Sequence, residues 1–203
     1  MRVKQNSNTI ILLTNLRRPW IMRPSFITTI MILGVAFFVV TSGFAQERSK
    51  NRVAAFKDWN VFVEDNPYVC WSVSVPTEQV NRRDGRAVAV KRSLTQFSVS
   101  FLPSQQLKGQ VAFTGGYPFA SGSTVELKVG GERFELIPGV NENDDEWAWA
   151  ENSDVDAKIV NAMKLGSKAV LTGKSSLGTD TSDTFSLFGF TAAFDHAQER
   201  CSG

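Results

Sequence analysis

The sequence predicts a mainly β protein: an antiparallel β-sandwich or partly closed barrel with one or two short helices. Three observations point there. Short runs of β-branched and aromatic residues recur after about residue 56, as strands half-buried in a sheet require. Gly, Pro, Asn and Asp fall between those runs, where tight turns need them. A helical spacing of apolar residues is confined to two stretches after residue 152, too little helix for an α/β layering.

The elements follow in order. Residues 46–55 read as a flexible leader ahead of a single β-rich domain, residues 56–203. Trp59–Val63 and Val69–Val75 are the first strands, turned by Asp65-Asn66-Pro67. Asn81 to Gly85 reads as a loop. Ala87–Val90 and Phe97–Phe101 come next, and the strict alternation of Phe97-Ser98-Val99-Ser100-Phe101 sends its apolar side chains to one face. Gly109–Phe113 stops before Gly115-Gly116. Val125–Val129 and Arg133–Ile137 flank Gly130-Gly131, a hairpin signal because glycine takes positive φ without a steric penalty. Glu146–Ala150, Ala169–Thr172 and Thr184–Leu187 complete the strands, with Lys174–Thr184 read as a hydroxyl-rich loop.

The first helix is expected over 154–165. Ser153 is placed to cap it, Asp154 and Asp156 lie in its first turn, and Gly166 suits a left-handed stop. Val155, Ile159, Ala162 and Met163 share a face, so the helix covers a sheet. The second runs from Thr191 to about Arg200. Gly189 breaks the chain before it, where a side chain would obstruct close packing.

Residues 1–45 differ in kind. They hold five basic residues and no acidic one, so the remainder carries 17 of the 22 Lys+Arg against all 20 Asp+Glu, a net charge of −3. An acidic domain has no electrostatic footprint for phosphate backbones, which excludes nucleic acid as a partner. The apolar run Phe26–Val40 follows Arg23, and Gly43 and Ala45 stand where a signal peptidase needs small residues, so cleavage is expected near Ala45. Met22 offers a more compact start, and on that reading residues 1–21 would be an over-called beginning. Arg17-Arg18 matches a twin-arginine signal only loosely, and Sec export is expected. An uncleaved anchor is the alternative, and it is the sole route to membrane association; the run is short of the ~20 residues that span a bilayer.

Cys70 and Cys201 are the two cysteines, and both follow the cleavage site. Even parity in an exported domain favours one disulfide over two separate buried thiols. It would close a loop of about 130 residues, contributing up to ~5 kcal/mol in the chain-entropy model.

Chemistry is sparse. His196 is the single histidine, no Gly-x-Ser-x-Gly is present, and Gly130-Gly131 precedes no helix, so neither a triad nor a phosphate loop is indicated. The run Glu142–Glu146 lacks calcium-loop spacing and reads as solvated. No metal or other cofactor is expected. Trp147 and Trp149 share one face of their strand, where they would stack a sugar or bind a partner; packing into the core, with Ala148 and Ala150 outward, is the preferred reading. Thr179, Asp180 and Asp183 of the hydroxyl-rich loop are the other candidate contacts, against a role in satisfying the turn's backbone.

Phe56-Lys57-Asp58-Trp59 after a signal peptide, a cysteine about ten residues later, the block Gly178-Thr-Asp-Thr-Ser-Asp-Thr-Phe-Ser-Leu-Phe-Gly-Phe-Thr-Ala-Ala193 and a terminal cysteine resemble the invasion-associated locus B family of exported alphaproteobacterial proteins. The resemblance covers most of residues 53–203, and Phe185 to Ala193 is its most specific part. It implies an envelope protein, carries over no catalytic residue, and leaves a general envelope role beside a virulence-related one. The expectation is a non-enzymatic binding module in the periplasm or outer envelope, its partner an envelope protein or a glycan. A surface-exposed adhesin or invasion factor is one alternative; an envelope hydrolase using an unrecognised carboxylate pair is another.

Overall fold

A computed structural model describes residues 51–202; the expected signal segment and residues 46–50 lie outside them. The strands are β1 (Arg52–Phe56), β2 (Trp59–Asp65), β3 (Tyr68–Ser74), β4 (Glu78–Arg83), β5 (Arg86–Ala87), β6 (Gln96–Leu102), β7 (Leu107–Thr114), β8 (Val125–Val129), β9 (Glu132–Pro138), β10 (Trp147–Ala150), β11 (Lys168–Lys174) and β12 (Asp180–Ser186). Two helices, α1 (Ser153–Leu165) and α2 (Phe190–Arg200), accompany them. The twelve strands form one antiparallel sheet in the order β1-β2-β3-β6-β7-β10-β9-β8-β11-β12-β4-β5.

The sheet does not close into a barrel: β1 and β5 remain as edges. It folds over in a sandwich-like manner, so that its two halves face one another. Phe185 of β12 meets Phe97 of β6 at 5.6 Å and Phe113 of β7 at 6.1 Å between ring centroids. A polar link crosses between the same halves. Trp59 Nε1 donates to Ser186 O at 2.9 Å.

Alternation fixes which side chains fill the gap. Trp59, Val61, Cys70, Phe97, Val99, Val111, Phe113, Leu127, Leu136, Leu171 and Phe185 all point inward and are buried. The helices seal the open sides of this core. α1 contributes Ile159 and Met163; α2 contributes Phe190, Ala193, Phe194 and Ala197. Phe190 packs edge-on against Trp59 at 4.8 Å, and Phe194 against Phe101 at 5.1 Å. At its far end α2 is held to β3 by the Cys70–Cys201 disulfide across 131 residues, beside a 2.6 Å hydrogen bond from the Tyr68 hydroxyl to Arg200 O.

Several local expectations change. Residues 52–55, expected in the leader, belong with Phe56 to the edge strand β1, whose Ala54 and Phe56 pack against the core. Its consecutive alanines, Ala54 and Ala55, leave no alternation to mark it as a strand. Asn81 to Gly85 is no loop: β4 and β5 form a hairpin through Asp84 and Gly85, both at positive φ. Of Ala87–Val90, only Ala87 is in a strand. The hydroxyl-rich segment is largely strand too. β11 reaches Lys174 and β12 starts at Asp180, so Thr181 and Asp183 turn inward while Thr, Ser and Asp mask the alternation.

The cap of α1 is Asn152, whose side chain accepts from the amides of Asp154 and Val155. That leaves Asp156 free to accept the Val111 amide of β7 at 2.8 Å. Gly166 ends the helix in extended backbone, not in the left-handed region; a side chain there would meet Val129 and Leu187. Gly189 does require glycine. It sits at φ +90, and an added Cβ would lie 2.0 Å from Phe56 O.

Two outcomes follow from this packing. Gly189→Ala is expected to cost at least ~2 kcal/mol, combining left-handed strain with displacement of β1. Urea denaturation checks it, and a change below about 0.5 kcal/mol would contradict the close approach. The second concerns Asp156, whose carboxyl is pushed up by burial from the ordinary 3.8 to about 6, against the lowering effect of the Val111 amide. A pKa raised on folding means that this carboxyl's contribution to stability is fully present below about pH 4 and is lost as pH rises through 6. Asp156→Asn keeps the acceptor without the charge, so it should flatten that slope relative to the parent. Its gain at pH 7 should be no more than about 1 kcal/mol once solvent screening is allowed for. Parallel urea titrations at several pH values decide it; an unchanged slope refutes it.

Candidate functional site

The outer face of the sheet is where the two tryptophans lie. Ala148 pairs with Phe113 and is fully buried, so Trp147 and Trp149 point the other way and are half-buried. The preferred core reading is thereby reversed. The inner volume opposite β10 is already occupied by Phe113 and Phe185, and a small residue fits there. The two indoles lie nearly parallel, 19° apart, with centroids 6.4 Å from each other.

They belong to a larger surface. The registers align Val73, Ser98, Ala112, Trp149 and Ile137 in one row across β3, β6, β7, β10 and β9. The adjoining row pairs Phe62 with Trp71, and their rings stack at 5.4 Å. Ser98 and Ala112 are small and lie at 4% and 6% exposure although they face outward. They lie between the strands that carry Trp71 and Trp149. The result is a band with a floor of small residues and an aromatic pair at either side, three strand spacings or ~14 Å apart.

The residues of the former loop divide. Asp180 is exposed on β12. Thr179 is buried, and its hydroxyl accepts from Arg83 Nη2 at 2.7 Å. Asp183 is fully buried and faces no solvent. Arg92 reaches it from the segment between β5 and β6, with Nη1 to Oδ1 at 2.8 Å and Nη2 to Oδ2 at 2.6 Å. Gln79 Nε2 adds a third donor at 3.2 Å. The guanidinium also donates to Gly115 O and Asn81 Oδ1, and lies 5.0 Å over the Tyr117 ring. Burial pushes the Tyr117 hydroxyl up to about 12, and it stays a neutral partner of Thr181. This cluster holds the two halves of the sheet together at one end of the core. Sequence reasoning missed Arg92, Tyr117 and the Phe62–Trp71 pair. The strand alternation at Phe62 and Trp71 would have shown that pair.

Other candidates resolve simply. His196 lies on α2 against Phe56, 5.6 Å between rings, with no hydrogen-bond partner for its buried Nε2. In the acidic run Asp144 accepts from the Asn141 amide at 2.8 Å and closes its own turn. No group of three or more His, Cys, Asp or Glu among the described residues is placed to share a metal ion.

Fold and site together define a disulfide-closed, single-sheet β domain that presents aromatic side chains on its outer face. The chain belongs to the invasion associated locus B family: the family model described as "Invasion associated locus B (IalB) protein" matches residues 59–198. Among solved structures it is similar to the invasion associated protein B of Bartonella henselae, with a TM-score of 0.50 and 15% identity. That likeness covers 74% of this chain and 98% of the other, and it shows a shared fold. No curated protein matches the sequence significantly.

The buried ion pair makes a direct prediction. Asp183→Ala leaves the Arg92 cation with neutral acceptors only and should cost about 3–5 kcal/mol. Denaturant unfolding measures it, and a loss under about 1 kcal/mol would mean the pair is not what joins these strands.

Proposed function

We propose that this is an exported envelope protein that works by non-enzymatic binding, through the outer-face band around Trp71, Trp147 and Trp149. The band carries the reading. Large half-buried aromatic side chains gathered on one open sheet face are unusual for a surface with no partner, and they suit either a protein or a glycan of the envelope. The disulfide supports an oxidising compartment, and the basic, apolar, small-residue order of positions 1–45 supports export. No helix among the described residues is long and apolar enough to cross a membrane.

The hydrolase alternative has a narrow basis. Glu151 and Asp156 line one open depression beside α1, yet Asp156 is engaged with the Val111 amide. A surface-exposed adhesin would use the same band on the outside of the cell. Protease treatment of intact and permeabilised cells distinguishes it from a periplasmic form.

A photo-crosslinking residue at position 149 should capture an envelope component that one at Lys128, on a different part of the sheet, does not. The double variant Trp147→Ala/Trp149→Ala should weaken that capture at least tenfold while changing the unfolding midpoint little. Equal capture from both positions would refute the band as the contact surface.

A further inference from the structure

A second surface feature lies apart from the aromatic band. Between the segment 90–92 and the turn joining β11 to β12 is a small open cavity of about 90 Å³. Its walls combine the apolar groups of Val90, Pro118, Leu177 and the ring of Tyr117 with four Ser and Thr residues of β12 and the turn before it. Its charged lining is of one sign, namely Arg83, Lys91 and Arg92, and no Asp or Glu lines it.

These three cations are not equivalent. Arg92 is neutralised by Asp183 and is 7% exposed. Arg83 and Lys91 are exposed and take part in no salt bridge among the described residues. Arg83 is nevertheless fixed at the rim, because Nη2 donates to the buried Thr179 hydroxyl at 2.7 Å. That hydroxyl belongs to a tightly hydrogen-bonded turn: the Thr179 amide donates to Ser175 Oγ at 3.0 Å. The wall opposite is equally set, with the Ser176 amide bonded to Pro118 O at 2.8 Å. Leu177 stands 81% exposed at the mouth, an apolar side chain with nothing of its own chain to cover it.

The domain as a whole is acidic, so two cations outside any salt bridge, beside a recess with an apolar patch, are selective for a partner of opposite charge. The recess is smaller than the ~150 Å³ cavity that accepts benzene, which limits the apolar part of that partner to about one branched alkyl group. We propose that this cavity binds a branched aliphatic group bearing a carboxylate, the alkyl part between Val90, Pro118 and Leu177 and the carboxylate at Arg83 and Lys91. That chemistry occurs at the free C-terminus of a peptide ending in Leu or Val and in a free short aliphatic acid.

The test uses the purified, disulfide-intact protein and amide chemical shifts around Val90, Leu177 and Thr179. The probes are 4-methylpentanoate, the uncharged 4-methylpentanol, and a short peptide ending in leucine with either a free or an amidated C-terminus. The acid or the free peptide should saturate these shifts at millimolar or lower concentration. The alcohol and the amidated peptide should bind at least tenfold more weakly. Saturation by the acid alone identifies a free small acid as the source; saturation by the peptide but not the acid identifies a chain terminus. Lys91→Gln, whose side chain makes no hydrogen bond within the protein among the described residues, should reduce affinity severalfold without disturbing the fold, and Arg83→Gln should reduce it further. Absence of saturable shifts with both carboxylates, or equal binding of charged and uncharged probes, overturns the proposal.

Discussion

Cys201 stands at the end of α2, and its bond to Cys70 holds that helix across the inner faces of β2 and β3. Much of the remaining structure depends on that placement. With α2 in position, Phe190 closes over Trp59 and Phe194 over Phe101. Trp59 in turn reaches across the fold to Ser186 O, so the helix, β2 and β12 are set by one another. At the helix start the backbone of Gly189 lies against Phe56, which leaves β1 no other position. A sheet with two free edges gains its definition from this lid, since it lacks the closure that would make a barrel rigid.

The opposite end of the core is held by charge. Arg92 and Asp183 sit among Gln79, Asn81, Tyr117 and Thr181, each with a hydrogen-bond partner. A buried ion pair of this kind adds little net stability compared with apolar packing, but it tolerates no misalignment. It therefore ties the long segment between β5 and β6, which has no strand partner, to one position against β12. The cavity beside Arg83 and the orientation of Tyr117 both follow from that fixed segment.

The sequence made the β-rich class, the two helices, the Gly130-Gly131 hairpin and the need for glycine at 189 legible, because each rests on local chemistry. It hid β1, β4 and most of β12. In β1 two consecutive alanines leave no alternation, and in β4 and β12 Thr, Ser, Gln and Asn occupy positions where alternation would otherwise show. The cap of α1 shifted by one residue because Asn152 and Ser153 are both good caps, and tertiary structure used Asp156 for β7 instead. Among the candidate contacts, Trp147 and Trp149 were visible as a pair but not their side of the sheet. That depends on what fills the interior opposite Ala148, a fact held by Phe113 and Phe185, both distant in sequence. Asp183 was read as a loop residue, and only its neighbour Arg92, 91 residues earlier, explains why a carboxylate is buried there.

The order in which the chain is made gives the position of α2 a further meaning. Ribosomes release a protein from its N-terminus, so every strand of the sheet emerges before the helix that covers it. Until α2 and Cys201 are free, Trp59 and Phe101 have no lid, and Cys70 has no partner. The core is thus completed by α2 in a single late event. A chain that stopped before Phe190 would be left as an open sheet with Trp59 and Phe101 uncovered.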